Sequence, residues 1–436
     1  MTNFPQLKWV LIIFLSLLAS NVRCEQKQDS LLRILNSTVQ DSTRVNVLNE
    51  LSGAFRNEDY KKALKYSEEG LKLAEKINFK KGMATSLTNI GMAYYRQHDL
   101  EKSREYLDKS FKILEELQDK TGIANYYNSI GDIYLQKRSF DIAIKYYNQS
   151  LEIFKTIGNK IGIIRCYNSI GHTFNIREQY AKAMEYYIRS LNIAEKSGDK
   201  KGIANCYINV ANVLNAQENY KSAIQYLDKS VKIFEASGDK YNIGVCYNNI
   251  AANYIDQDSL VQALKFLGKS LQIYKDLGDK KGQSACYTNM GIVSGKNKKH
   301  KKAINFFQSA LSINESLRDK NRIAASLGNL TISYLELKDY DAVIRTSERG
   351  LKIAKEINAI SLQRVFYENL STTYASLQNY KLAYENYKLL KQTDDSLFNA
   401  EKHKQVLELE AKYSSEKKEI EISSLTKDNQ LQAVQL

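Results

Sequence analysis

The chain has 436 residues, with 63 Lys and Arg against 49 Asp and Glu, a formal net charge of +14. Hydrophobic residues at 43% and charged residues at 26% are ordinary for a folded protein, and a single proline, Pro5, leaves everything after it able to be helical. Collagen-like, disulfide-scaffold and multi-span membrane classes are excluded, and a chain this long is expected to divide into several domains or a repeat array.

Residues 1–24 read as an export signal. Lys8 precedes an apolar run of 11 residues from Trp9 to Ala19, then Ser20-Asn21-Val22-Arg23-Cys24 and a polar stretch from Glu25. A membrane span needs about 20 apolar residues, so the run fits a secretory signal better than an anchor. Cleavage after Ser20 or after Cys24 both fit. A lipoprotein signal wants small residues before the cysteine, and Arg23 departs from that. The mature chain is expected to be exported, to the periplasm or cell envelope or as a secreted protein.

A forty-residue repeat organises most of the remaining chain. From Asp41 to Ala400 the sequence aligns in nine rows of forty without an insertion, starting at Asp41, Lys81, Thr121, Ile161, Lys201, Tyr241, Lys281, Asn321 and Ser361. One column reads Tyr127, Tyr167, Tyr207, Tyr247, Tyr287; three residues on come Ile130, Ile170, Val210, Ile250, Met290. The next column is small, Gly91, Gly131, Gly171, Ala211, Ala251 and Gly291, and three further lie Tyr134, Phe174, Leu214 and Tyr254. This spacing puts them on one helix face. The small column lets a second helix approach closely.

The second helix has its own small column at Ala143, Ala183, Ala223, Ala263 and Ala303. A bulky one follows at Leu107, Tyr147, Tyr187, Leu227, Leu267, Phe307 and Tyr387, then another small one at Ser110, Ser150, Ser190, Ser230 and Ser270. Short polar turns such as Arg177-Glu178-Gln179 join the helices. Gly158, Gly198, Gly238 and Gly278 suit a left-handed helix end, and the Asn or Asp after each suits a cap. Each row is a helical hairpin that must stack on its neighbours to bury its apolar face. The division is a cap and degenerate first repeat over 25–80, where Leu51 occupies the small column, eight repeats over 81–400, and a long helix over 401–436.

These columns resemble the tetratricopeptide repeat family over residues 41–400, in a forty-residue variant of the commoner unit of about 34. The resemblance implies an all-α, right-handed superhelical solenoid. The family's usual proline after the second helix is missing in every row, with Lys155 in its place in the third, which implies a second helix about a turn longer. The resembled proteins are exported or membrane-linked sensors of Bacteroidetes-type bacteria. In them a helix like 401–436 leads to a membrane span and a kinase or DNA-binding output. Here Val406, Tyr413, Ile420 and Val434 give only a weak coiled-coil seam, broken by Lys427, through which a dimer could form.

Little in the sequence points to chemistry. His98, His172, His300 and His403 share no metal-ligand spacing, and no phosphate loop or nucleophile motif is present, so no catalytic residue, metal or cofactor is expected. Cys166, Cys206, Cys246 and Cys286 stand forty apart in one column. Successive helices pack about 8–10 Å apart, beyond the roughly 7 Å a disulfide spans, so these are expected as buried thiols. Lys296 to Lys302 forms a basic turn that could meet an acidic partner or a lipid headgroup surface; nucleic acid is not expected. Membrane association is expected only through that weak turn or a segment downstream of Leu436.

The positions just off the core columns of the first helix carry the functional expectation. Asn125, Asn128, Asp132, Arg165, Asn168, His172, Asn205, Asn209, Asn212, Asn215, Asn248 and Asn249 are candidates for a peptide-binding groove. Asn is a mediocre helix former, and its amide can pair with the backbone of an extended peptide. In the resembled family such columns line the concave groove, although a carboxylate clamp would need more cations than Arg165. Two functions stay open: a non-enzymatic scaffold that binds a protein or peptide segment, or the sensory input of a signal-transduction protein whose output domain is not in this chain.

Overall fold

The computed structural model of the chain describes residues 30–35, 41–55 and 60–395; the expected signal and the 401–436 helix lie outside them. Every regular element among the described residues is a helix. The third row shows the unit: a first helix Lys120–Gln136, a connection at 137–139, a second helix Phe140–Thr156, and a connection at 157–159. Both helices have 17 residues. In this row two equal helices and two three-residue connections fill the period; in the fourth and fifth rows the second helix runs to 18 residues.

Each connection turns on one residue with positive φ. Gly158, Gly198, Gly238 and Gly278 do so at +66° to +68°. The same conformation recurs at Gln118, Arg138, Glu178 and Arg318, with φ between 52° and 58°, where no glycine is present to mark it. Caps then start the next helix: Asp119, Asn159 and Asp199 each accept from a backbone N–H three residues on at 2.9 Å.

Two compact units divide the chain, Met1–Gly282 and Gln283–Leu436. In the first, the glycine columns set the packing. A Cβ at Gly131 would sit 2.5 Å from the Tyr147 ring and one at Gly171 2.8 Å from Tyr187, so only glycine admits these fully or nearly fully buried tyrosines. A second glycine column lies at the start of the first helix, where Gly122, Gly162 and Gly282 lie under Leu114, Phe154 and Tyr274, while Gly202 lies against the Asp199 cap. The serine column has a job beyond being small. Ser110, Ser150, Ser230 and Ser270 each donate to a carbonyl 26 residues earlier, at 2.8, 2.7, 3.0 and 2.8 Å, tying the second helix to the first. The core runs through Leu107, Ile130, Tyr147, Phe154, Ile170, Tyr187, Leu227 and Phe234.

The second unit repeats the scheme around Ala303, Phe307 and Leu330, and around Ile323, Leu327, Ala354 and Phe366. There Gly291 receives Phe307, and Gly350 receives Phe366.

Candidate functional site

Cross-row hydrogen bonds place the first helices of the first unit side by side. Asn89 Nδ2 donates to the Asn49 carbonyl at 3.2 Å, and Asn215 Nδ2 donates to Asn253 Oδ1 at 3.1 Å and Asp256 Oδ2 at 3.0 Å. The face they present carries the columns headed by Asn125, Asn128, Asp132, Leu135 and Gln136. On it Arg165, His172 and Asn212 are exposed, whereas Asn125, Asp132, Asn168, Asn205, Asn209, Asn215, Asn248 and Asn249 are half-buried.

Asn128 departs from the expectation of a solvent-facing column. It is 6% exposed, and its Oδ1 receives the Cys166 thiol at 3.9 Å. The reason is the thiol column itself, which brings the next first helix against it. Cys206 reaches Asn168 Oδ1 in the same way at 3.9 Å. The four cysteines Cys166, Cys206, Cys246 and Cys286 are buried, and none is in a disulfide. Cys166 Sγ donates to Ser150 Oγ at 3.2 Å and Cys246 Sγ to Ser230 Oγ at 3.4 Å, and burial pushes the Cys246 thiol up to about 11. These are inert packing groups. The Asn89 column also works between helices, since Asn89 bonds to Asn49, which in turn accepts from Ser86 at 2.8 Å.

Asp132 is the most perturbed acid on this face. The Tyr147 hydroxyl donates to its Oδ1 at 2.7 Å, yet burial raises the carboxyl to about 6, against the lowering by Tyr147, Arg165 and Arg96. Tyr95 comes in from the second row and is itself pushed up to about 12, by burial and by the Asp132 charge. His172 keeps an exposed edge, yet the helices around its ring desolvate it and push it down, toward the neutral imidazole. Tyr95, Arg96 and Gln136 are not among the residues the sequence singles out. Extending the Asp132 register by one helix turn, along the columns of Leu135 and Gln136, is the signal that reaches them.

Three amide oxygens on this face, those of Asn125, Gln136 and Asn175, are shut from solvent without a hydrogen-bond partner. Elsewhere, the basic turn lines a cavity of about 430 Å³ with Lys298, Lys299, His300, Lys301, Lys302 and Leu337. A depression of about 740 Å³ lies against Phe140–Thr156, lined by Tyr127, Ile144, Lys145 and Glu152 among others, and holds none of the expected residues. His98 contacts Gln136 and His403 lies outside the described residues. No group of three His, Cys, Asp or Glu side chains among the described residues could hold a metal ion.

The repeat geometry agrees with a family match. The tetratricopeptide repeat model matches in seven overlapping stretches, 43–116, 82–156, 122–196, 162–236, 202–276, 242–316 and 283–356. This chain belongs to the tetratricopeptide repeat family. No curated protein matches it. Among solved structures, the chain is similar to a Rap protein complexed with competence and sporulation factor, at 13% identity and a TM-score of 0.52, over 82% of this chain and 99% of that one. It is also similar to aspartyl phosphate phosphatase F from Bacillus subtilis, at 15% identity and a TM-score of 0.51, over 82% and 96%. At these identities the likeness is one of fold. Among the described residues no helix is long and apolar enough to cross a membrane.

Proposed function

We propose that this tetratricopeptide repeat array is a non-enzymatic interaction module that takes an extended peptide segment along the first-helix face of its third to fifth rows. The observation that carries it is the set of unpartnered oxygens at Asn125, Gln136 and Asn175. A buried acceptor without a donor costs about 1–3 kcal/mol; the three side chains are only half-buried, so a rotation that turns each oxygen outward lets a ligand that brings a line of N–H groups relieve all three. An extended backbone does that whatever its side chains. Half-buried Asn205 and exposed Asn212 continue the same face into the fifth row. That a Rap protein of the same fold is complexed with competence and sporulation factor is in keeping with ligand binding on such an array.

The deciding variant is Asn125→Ala with Asn175→Ala, measured against an immobilised octapeptide library. Melting should hold or rise, because two unsatisfied oxygens are gone, while binding weakens across the library by roughly tenfold, from two bonds of about 0.5–1.5 kcal/mol each. Unchanged binding would show that these amides are packing defects rather than ligand contacts. The proposal also places the mature chain outside the cytoplasm, on the strength of the Trp9–Ala19 run. Fractionated cells should yield a chain shortened by 20 or 24 residues, according to whether cleavage follows Ser20 or Cys24.

A further inference from the structure

Full charges are scarce on the first-helix face of the third to fifth rows. In the columns of Asn125, Asn128, Asp132, Leu135 and Gln136, only Asp132 and Arg165 carry one; the remaining positions are amides, His172 or apolar residues. The two have opposite sign and stand close enough for Arg165 to act on the Asp132 carboxyl. They do not pair with each other. Asp132 accepts a single hydrogen bond, from the Tyr147 hydroxyl, and its other oxygen takes no donor among the described residues. Arg165 lies over the Phe154 ring, with its guanidinium carbon 5.7 Å from the centroid, and no described carboxylate comes within ion-pair distance of it.

Charged side chains elsewhere on the array behave differently. Lys137 meets Glu101 at 2.6 Å and Arg177 meets Asp141 at 2.6 Å, each reaching back to the preceding row. An acid and a base held apart in the same trough, while charges such as Lys137 and Arg177 do find partners across rows, form a dipolar receptor rather than a structural bridge. We propose that Asp132 receives an ammonium or guanidinium and Arg165 a carboxylate of one bound peptide, so that the array selects a segment carrying both a basic and an acidic side chain. This rests on the groove reading above.

The environment favours that division. Burial leaves the ionised Asp132 short of stabilisation that a ligand cation would supply. Arg96 and Arg165 in the same neighbourhood oppose a ligand that is only cationic, so an accompanying carboxylate is required to offset them. Tyr95 and Tyr147, both held neutral by burial, the Cys166 thiol, and His172, pushed down toward its neutral form by desolvation, are the other titratable groups facing the site. None of them competes for the cation as an anion at neutral pH.

A positional-scanning octapeptide library tests this, with Lys, Glu or Gln fixed at each position in turn. It is applied to the wild type and to the Asp132→Asn, Arg165→Gln and Asn125→Ala/Asn175→Ala variants. The wild type should bind peptides that contain both Lys and Glu about tenfold or more tightly than their Gln counterparts, as expected for hydrogen bonds to charged groups. Asp132→Asn, whose amide oxygen can still accept from Tyr147, should lose the Lys preference and keep the Glu preference; Arg165→Gln should do the reverse. The double Asn variant should weaken all peptides alike and leave both preferences in place. A wild type that binds without charge preference, or two charge variants that lose affinity uniformly, overturns the charge assignment while the groove stands. Failure of the wild type to bind any peptide, or a double Asn variant that binds as the wild type does, overturns the groove reading and this assignment with it.

Discussion

Asp132 carries a cost that shows in how stability depends on pH. Its folded carboxyl titrates at about 6, above the roughly 3.9 of an unfolded aspartate. Between these values the folded state holds a proton that the unfolded state has lost, so stability falls as pH rises through the window. Below pH about 4 the penalty is absent, and above about 6 it is complete. Asp132→Asn removes it. The variant should match the wild type in thermal melting near pH 4 and exceed it at pH 7, by on the order of 1–2 kcal/mol after allowance for partial solvent access. Because other acids titrate in both proteins, the difference between the two melting curves is the quantity to follow. A difference that stays flat from pH 4 to 7 would mean that the carboxyl is not perturbed. None of this is legible in the sequence, where Asp132 is one polar residue in a column with His172 and Asn212. Its register is visible there, but the approach of Tyr147 over Gly131 that buries it is not. Ser103 is hidden in the same way: its column is Ala in most rows, and its buried hydroxyl has no partner.

At the scale of helices and turns, period and packing columns are legible because glycine and alanine leave a mark wherever two backbones come close. The turns are legible only in part. Gly158, Gly198, Gly238 and Gly278 announce a left-handed residue, yet Gln118 and Arg318 adopt the same conformation at the same place in their rows. There the three-residue connection imposes the backbone, and the side chain tolerates it. Left-handed backbone costs an L-residue about 1–2 kcal/mol, partly offset by the entropy a glycine adds to the unfolded chain, about 0.4–1 kcal/mol. Gln118→Gly should therefore stabilise by a few tenths to about 1 kcal/mol, and Gly198→Ala should destabilise by a similar amount. A Cβ at Gly198 meets nothing within 4 Å, so the second effect is one of backbone and not of crowding. Thermal melting of the two single variants should move in opposite directions; a stabilising Gly198→Ala would contradict the turn geometry. The second glycine column, Gly122, Gly162, Gly202 and Gly282, is present in the sequence at the same forty-residue spacing. Its packing role is masked there because it lies at the helix start, where glycine reads as part of a turn.

Over the whole array, each row owes its burial to the rows beside it, and the bulky column of the second helix measures this. Tyr147 and Tyr187 are 0% and 2% exposed, and Leu227 and Leu267 are fully buried. Tyr387 occupies the same column in the last described helix and is 52% exposed, with Tyr384 beside it at 68%. In the third and fourth rows the following first helix completes the cover, as the Cys166 contact with Ser150 and the Cys206 contact with Ser190 show. Chemically equivalent substitutions should then have very different effects along one column. Tyr147→Ala removes a fully buried ring from over Gly131 and should cost about 3–5 kcal/mol. Tyr387→Ala removes a ring that is already half in water and should change stability by about 0.5 kcal/mol or less. Because a repeat array couples only nearest neighbours, Tyr147→Ala should also loosen the second to fourth rows before the rest. Hydrogen exchange would show this as lost amide protection between residues 81 and 200, with protection beyond residue 283 retained. Equal loss of stability for the two tyrosines would mean that the column is buried within each hairpin and owes nothing to the next row.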